Sequence, residues 1–126
     1  MQVQTHHIHF RCLDPKKTQT YYVDILGATN PGSFEGPFGW VYTVECHGYT
    51  LFFASAPVNL TMPAAAEEPH WGVYQLAWRV DDLAALLADI KAKGGVIKKD
   101  IFVPRPGWLA AFVAGPDGVE LEFVQY

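Results

Sequence analysis

The sequence lacks the features that would mark an unusual class of protein. It has only two cysteines in 126 residues, and its net charge is −4. Two cysteines are too few for a disulfide framework, and an acidic chain is a poor nucleic-acid binder. No apolar run reaches membrane-span length, and the start, MQVQTHHIHF, lacks the cationic region of a signal peptide. We therefore expect a cytoplasmic protein that binds neither nucleic acid nor membrane.

Half of the residues are hydrophobic, and the chain repeats itself at an offset of 68 residues. The overlay pairs chemically similar residues: His7 with Gln75, Phe10 with Trp78, Arg11 with Arg79, Asp14 with Asp82, Gly27 with Gly95, Gly39 with Gly107, and Trp40 with Trp108. Such a repeat indicates two copies of one structural module. We predict one domain, 1–126, built from a first module (1–55), a connector (56–70) and a second module (71–126).

Hydrophobic periodicity predicts the elements of the first module. Residues 3–12 alternate as a half-buried strand, with His7, His9 and Arg11 on the polar face and His6 on the other. Asp14-Pro15 begins a helix over 14–26, because an N-cap aspartate and an N1 proline suit a helix start. A Pro/Gly-rich loop over 30–37 leads to a hairpin of strands 38–46 and 49–55, which turns at His47-Gly48.

The second module repeats this order. A strand over 73–80 precedes a helix over 82–93, and strands 108–114 and 119–125 are joined by the turn Gly115-Pro116-Asp117-Gly118. Each module is therefore predicted to contain a strand, a helix, and two or three further strands. The connector is long enough to act as a lid or to pass one module to a second subunit.

Three segments resemble the vicinal oxygen chelate superfamily of glyoxalases, bleomycin- and fosfomycin-resistance proteins and extradiol dioxygenases. They are HHIHFRCLDPKKTQTYYVDILGA, QLAWRVDDLAALLADIKAKGG and GPDGVELEFVQY. The resemblance implies an α+β fold of two tandem βαβββ modules, whose mixed sheets curl around one cavity with the helices outside. It also implies a homodimer that acts on a small molecule.

The resemblance further implies a set of metal ligands. The family's first-strand ligand lies seven residues before the helix-capping aspartate, which gives His7 and Gln75. Its last-strand glutamate lies four residues after the turn glycine, which gives Glu122. The first module has a turn shorter by two residues, so Phe52 overlays on Glu122. The expected site has three protein ligands, and a phenyl ring fills the fourth position.

Strand alternation supports the same three residues, since each lies opposite the aliphatic face of its strand. An imidazole nitrogen, an amide oxygen and a carboxylate suit one divalent ion of the set Mn, Fe, Co, Ni, Zn or Mg. One carboxylate leaves such an ion with about one unit of positive charge, which would favour a substrate that chelates through adjacent oxygens. The sequence does not identify the metal or the substrate.

Other residues on the same faces are candidates for the reaction and for the cavity. His9 and Glu122 are the catalytic candidates, and His9 could instead be a rival ligand or a substrate contact. We assign these residues to the substrate cavity: Arg11, Trp40, Tyr42, Phe52, Arg79, Trp108 and Glu120.

Three functions fit these residues. The first is a metal-dependent isomerase, epimerase or lyase. The second is a metal-free binding or drug-sequestering protein, in which Arg11 or Arg79 would pair with Glu122. The third is a ring-cleaving dioxygenase, which is less favoured because Gln75 replaces the second histidine of the iron facial triad.

Overall fold

A computed structural model describes residues 1–37, 39–57, 60–63 and 69–126. The chain divides into two compact units, Met1–Pro63 and Ala64–Tyr126. Both units have the order strand, helix and three strands, which confirms the predicted α+β fold of two βαβββ modules. In the described part of the chain, no helix combines the length and the apolar character that crossing a membrane requires.

The first unit is a four-stranded mixed sheet with one helix. Its elements are β1 (Ile8–Arg11), α1 (Pro15–Asp24), β2 (Thr29–Gly36), β3 (Gly39–Cys46) and β4 (Tyr49–Ala54). The strand order is β1-β4-β3-β2. Strand β1 runs parallel to β4, and the other neighbours are antiparallel.

The second unit has the same topology. Its elements are β5 (Gln75–Arg79), α2 (Leu83–Ala92), β6 (Val96–Phe102), β7 (Leu109–Ala114) and β8 (Glu120–Gln125). The strand order is β5-β8-β7-β6, and again only the first pair is parallel.

Both helices begin at the aspartates that the sequence predicts. The backbone of Asp14 has φ −137° and ψ 91°, and that of Asp82 has φ −138° and ψ 93°. Each carboxylate accepts a hydrogen bond from the backbone N–H three residues later, at 3.1 Å from Lys17 and 2.9 Å from Ala85. The repeat therefore preserves the cap geometry as well as the residue type.

The loop predicted over 30–37 is wrong, because β2 occupies Thr29–Gly36. This strand contains Pro31 and Gly32, which sequence patterns associate with loops. A proline is tolerated here because β2 lies at the edge of its sheet and its register shifts between Thr29 and Gly32. The predicted strands 3–12 and 73–80 are also shorter in the structure, as β1 and β5.

Some predictions fall on residues outside the described part of the chain. Phe38, the predicted start of a strand, is one of these, and β3 begins at Gly39. Several residues of the connector 56–70 also lie outside it, so the roles proposed for that segment stay predictions.

Each helix packs on one face of its own sheet. In the first unit the ring of Tyr22 on α1 stacks on Phe53, which also contacts Phe10. In the second unit Trp78 stacks on Phe123, and Leu83 and Ile90 of α2 are fully buried. The opposite face of each sheet, which its own helix does not cover, is called the helix-free face below.

Register shows where the 68-residue overlay fails. Val44 pairs with Leu51 in the first unit, and Val113 pairs with Leu121 in the second. Strands β3 and β7 therefore correspond at an offset of 69 residues and not 68. A shift of one residue moves a side chain to the other face of a sheet. Trp40 and Trp108 are consequently not equivalent positions, contrary to the sequence overlay.

Candidate functional site

The helix-free face of the first unit carries the predicted histidine and arginine side chains. His9 pairs with Phe52 and Arg11 with Ala54 in the parallel β1–β4 ladder. The ring of His7, just before β1, stacks on Phe52 with centroids 3.8 Å apart, and the His9 ring centroid lies 6.0 Å from that of Phe52. The structure thus brings His7, His9 and Phe52 together, with the His7 and His9 centroids 5.8 Å apart.

His6 joins this group, although the alternating pattern places it on the opposite face. Its Nδ1 lies 2.7 Å from Nδ1 of His7, and its ring contacts Phe52 edge-on. The difference arises because β1 begins at Ile8, so strand alternation does not apply to residue 6. One of the two Nδ1 atoms must carry the shared hydrogen. When His7 carries it, Nε2 of His7 is the ring nitrogen whose lone pair can bind a metal ion.

A cavity of about 360 Å³ lies beside His9 and Arg11. Its other lining residues come from the ends of β2, β3 and β4: Gly36, Pro37, Gly39, Val41, Ala54 and Ser55. Burial lowers the pKa of His9, and the nearby charges of His7 and Arg11 lower it further. The imidazole of His9 is therefore neutral near pH 7 and able to accept a proton.

Trp40 and Tyr42 lie on the other side of this sheet. Tyr42 pairs with Phe53, so it faces the side that α1 covers. Both residues line a groove of about 390 Å³ together with Lys16 and Gln19 of α1. The structure therefore separates these two predicted cavity residues from His9, Arg11 and Phe52.

On the helix-free face of the second unit, Gln75 and Glu120 are directly bonded. They are register partners in the β5–β8 ladder, and Nε2 of Gln75 donates to Oε2 of Glu120 at 2.6 Å. The other carboxylate oxygen of Glu120 lies 2.6 Å from Nζ of Lys98. Glu120 is only 2% exposed, so this carboxylate is buried with its charge compensated.

The two glutamates of β8 have opposite pKa shifts. Burial alone would raise the pKa of Glu120, but hydrogen bonds from Lys98, Tyr74 and Gln75 and the charge of Lys98 outweigh it, so the pKa is lowered. The pKa of Glu122 is raised, first by burial and then by the negative charge of Glu120. Glu122 is thus the carboxylate on this face whose charge is less well compensated.

Lys98 is a site residue that the sequence does not reveal. The predicted strands do not include β6, so the sequence assigns Lys98 to no sheet face. Lys98 lies two residues after Val96, which pairs with Ala114, the register partner of Glu120, and Nζ of Lys98 lies 2.6 Å from Glu120. The register shift between Ile97 and Lys99 brings Lys99 to the same face, where its Nζ lies 4.0 Å from the ring centroid of Phe102.

Arg79 and Trp108 belong to an aromatic stack at one end of the same sheet. The Trp108 and Tyr126 rings are parallel with centroids 4.1 Å apart. The guanidinium of Arg79 lies over Tyr126 at 3.8 Å, and that of Arg105 lies over Trp108 at 5.0 Å. Among the glutamates of the second unit that the structure describes, Glu120 forms an ion pair, and its partner is a lysine rather than the arginine considered from sequence.

The structure places the predicted metal ligands in different units. His7 belongs to the first unit, and Gln75 and Glu122 belong to the second. Within the described part of either unit, no three His, Cys, Asp or Glu side chains are grouped as a metal site. A joint site made of His7, Gln75 and Glu122 therefore stays a prediction.

Comparison with known proteins gives the family. Residues 6–112 match the Glyoxalase/Bleomycin resistance protein/Dioxygenase superfamily. The chain is 29% identical to a lactoylglutathione lyase of Haemophilus influenzae over 98% of this chain and 93% of that protein. Two solved structures share the fold. A glyoxalase family protein from Enterococcus faecalis has a TM-score of 0.79 and 21% identity, and the match covers 96% of each chain. An antibiotic binding protein from Streptomyces sp. CB03234 has a TM-score of 0.74 and 19% identity, and the match covers 99% of this chain and 98% of that one. The chain belongs to the Glyoxalase/Bleomycin resistance protein/Dioxygenase superfamily.

Proposed function

We propose that this protein is a glyoxalase-like lyase or isomerase that binds one divalent metal ion through His7, Gln75 and Glu122. The observation that carries the proposal is that Gln75 and Glu122 lie on the same helix-free face. The amide of Gln75 is oriented by its hydrogen bond to Glu120, and the charge of the Glu122 carboxylate is incompletely compensated. Similarity to a lactoylglutathione lyase supports the class of reaction.

The donor atoms of the second unit fit a divalent ion. A carboxylate only accepts hydrogen bonds, so the contact with Glu120 fixes the nitrogen end of the Gln75 amide. The carbonyl oxygen then remains as the ligand atom. A cation beside Glu122 would favour the ionised form of this carboxylate and would offset the effects that raise its pKa.

The first unit would supply a nitrogen donor. Stacking on Phe52 covers a face of the His7 ring but leaves the ring edge accessible, and Nε2 lies on that edge. The pairing of Nδ1 with His6 restricts the orientation of the ring, as second-shell partners of metal-bound histidines do. The proposal requires the two units to bring His7 to Gln75 and Glu122, within one chain or across a homodimer.

His9 would move the proton. When bound, a divalent ion supplies Lewis-acid polarisation of a substrate oxygen. His9 is neutral near pH 7 because its pKa is lowered, so a ring nitrogen can accept a proton from the adjacent carbon of the substrate and return it. The cavity beside His9 and Arg11 would hold the rest of a small oxygen-chelating substrate.

A metal-free binding protein is the second candidate. The cavity of about 360 Å³ in the first unit and the rings of Phe52 and Phe34, 5.6 Å apart, favour an apolar or aromatic ligand. An antibiotic binding protein shares the fold. A metal-free binding protein needs neither Gln75 nor Glu122, whereas the metal-dependent enzyme needs both.

We also propose that the protein acts in the cytoplasm as a homodimer, as the family resemblance implies. Light scattering at tens of micromolar should give twice the mass of 14.0 kDa. A monomeric mass would remove the dimer from the proposal but not a site formed within one chain.

The function is tested by metal analysis and by an assay of lactoylglutathione lyase activity, the activity that the relative's name gives. Protein purified without an affinity tag should contain one divalent ion and catalyse this or a related reaction. His9→Ala should keep the metal and lose most of the activity, whereas Gln75→His should bind nickel, cobalt or zinc more tightly. Metal that survives Glu122→Gln but is lost in His9→Ala would show that the ligand set is wrong. Tight binding of an aromatic compound without metal would establish the second candidate instead.

A further inference from the structure

The bond between Gln75 and Glu120 belongs to a network in which the side chains of Lys98 and Tyr74 also form hydrogen bonds with Glu120. Glu120 is 2% exposed, and its two oxygens lie 2.6 Å from Gln75 Nε2 and 2.6 Å from Lys98 Nζ. Burying the carboxylate of Glu120 is expensive, and an apolar residue of similar volume often serves stability equally well. The network therefore calls for a role other than stability.

The first unit has a different residue at the position that corresponds to Glu120. Leu51 and Leu121 occupy corresponding places in the two parallel ladders, so Thr50 corresponds to Glu120. Thr50 is only half-buried, and its hydroxyl donates to Glu45 of the neighbouring strand at 2.8 Å. A βαβββ unit thus folds with a small hydroxyl residue at this position.

We propose that Glu120 and Lys98 are positioning residues, which hold the Gln75 amide with its nitrogen on Glu120 and its carbonyl oxygen presented as a donor. A free glutamine amide can present either end, and it interconverts by rotation of the terminal torsion. The buried carboxylate removes that choice because it accepts and cannot donate. Lys98 of β6 completes the network, since its Nζ lies 2.6 Å from the other carboxylate oxygen of Glu120.

That the carbonyl oxygen of Gln75 binds a metal ion rests on the proposed function. The orientation of the Gln75 amide does not depend on that function. An amide oxygen fixed in this way favours oxygen-preferring ions such as Mn²⁺ or Mg²⁺ over ions that prefer nitrogen or sulfur. Outer-shell partners of this kind typically change metal affinity by 10- to 100-fold. The positioning role therefore predicts a measurable effect from residues that do not touch the metal.

The test compares the metal-free protein and variants by nitrogen-15 NMR of side-chain amides. The chain has only five glutamines and two asparagines, so the Gln75 signal is assigned by substitution. In the wild type, its protons should exchange with water at least about tenfold more slowly than those of exposed Gln2 and Gln4, because they are bonded to a buried acceptor. Lys98→Met with Glu120→Leu removes both charges together and should abolish this protection.

Two further variants make the comparison specific. Lys98→Met with Glu120→Gln keeps an acceptor oxygen without the charge and should restore part of the protection. Asp89→Ala with Lys93→Ala removes an exposed ion pair of the same unit, with side chains 52% and 43% exposed, and should leave the Gln75 signal unchanged. The Kd for Mn²⁺, measured by calorimetry, should rise about 10- to 100-fold when Glu120→Leu is combined with Lys98→Met, and should stay unchanged in the control without the exposed ion pair.

The outcomes separate this inference from the proposed function. If the Gln75 signal is the same in the wild type and the Glu120→Leu double variant, the positioning role is overturned. If the wild type binds Mn²⁺ and the double variant binds it equally tightly, the positioning role is overturned as well. If the protection is lost as expected but the wild type binds no Mn²⁺, the orientation of Gln75 stands and the metal-dependent function falls.

Discussion

The two βαβββ units are most alike where their helices pack and least alike on their helix-free faces. In the first unit this face carries the ring of Phe52 against His7 and His9, whereas in the second it carries Gln75, Glu120 and Lys98. Phe52 and Glu122 occupy corresponding ladder positions, opposite His9 and Ala77. The two units thus share a scaffold, whereas the helix-free face is aromatic in the first unit and ionic in the second.

The largest expected effect tests the claim that the helix-covered faces are alike. Leu51 and Leu121 correspond in register, and both are fully buried. Leu51→Ala and Leu121→Ala should each lower the free energy of unfolding by about 3 kcal/mol, because each leaves a cavity. Urea unfolding measures both changes, and a difference above about 2 kcal/mol between them would show that the two cores are not alike.

A smaller effect tests the difference between the helix-free faces. Lys98→Met leaves the buried Glu120 carboxylate without its cation and should cost about 1–3 kcal/mol, with the lower end expected because the Lys98 side chain is 44% exposed. Thr50→Val at the position that corresponds to Glu120 should cost less than about 0.5 kcal/mol. Urea unfolding measures both costs. Equal costs would mean that the ion pair between Lys98 and Glu120 does not distinguish the second unit from the first.

Phe52→Glu would make the two faces more alike. It places a carboxylate at the position that corresponds to Glu122 and should tighten Mn²⁺ binding about tenfold, or about 1.4 kcal/mol, by adding an anionic ligand. Phe52→Leu removes the ring without adding a charge and serves as the control. Calorimetry that gives the same affinity for both variants would place residue 52 away from the metal.

The smallest effect concerns the matched helix starts. Asp14→Ala and Asp82→Ala each remove a side-chain bond to the backbone N–H three residues later. Each should lower the free energy of unfolding by about 1 kcal/mol. Thermal or urea unfolding that shows an effect at one site only would mean that the second cap is redundant in its unit.

The fold was largely predictable because caps and turns depend on local residue types. The repeat, Asp14 and Asp82 at the helix starts, and the turn at His47-Gly48 are all readable in the sequence, and His47 and Gly48 both take the positive φ that a tight hairpin turn requires. Strand β2 was not predictable, because its proline and glycine are loop residues that an edge strand tolerates.

The candidate site was predictable only in part. Strand alternation places His9 with Phe52, and Gln75 on the face of Glu120 and Glu122, as the structure has them. It does not reveal strand β6, whose Lys98 contacts Glu120, nor the one-residue difference between β3 and β7 that turns Trp40 away from the face of His9. Strand β6 is largely exposed and lacks a regular apolar alternation, and the offset between β3 and β7 depends on backbone register, which a single sequence does not encode locally.

The metal site itself is most directly tested by titrating Mn²⁺ into tag-free, metal-stripped protein and into its Glu122→Gln variant, with calorimetric detection. Glu122 is the only anionic ligand of the proposed set, so the wild type should bind one ion per chain and the variant should lose at least about 100-fold in affinity. Equal binding by both proteins, or no binding by the wild type, would contradict the site made of His7, Gln75 and Glu122.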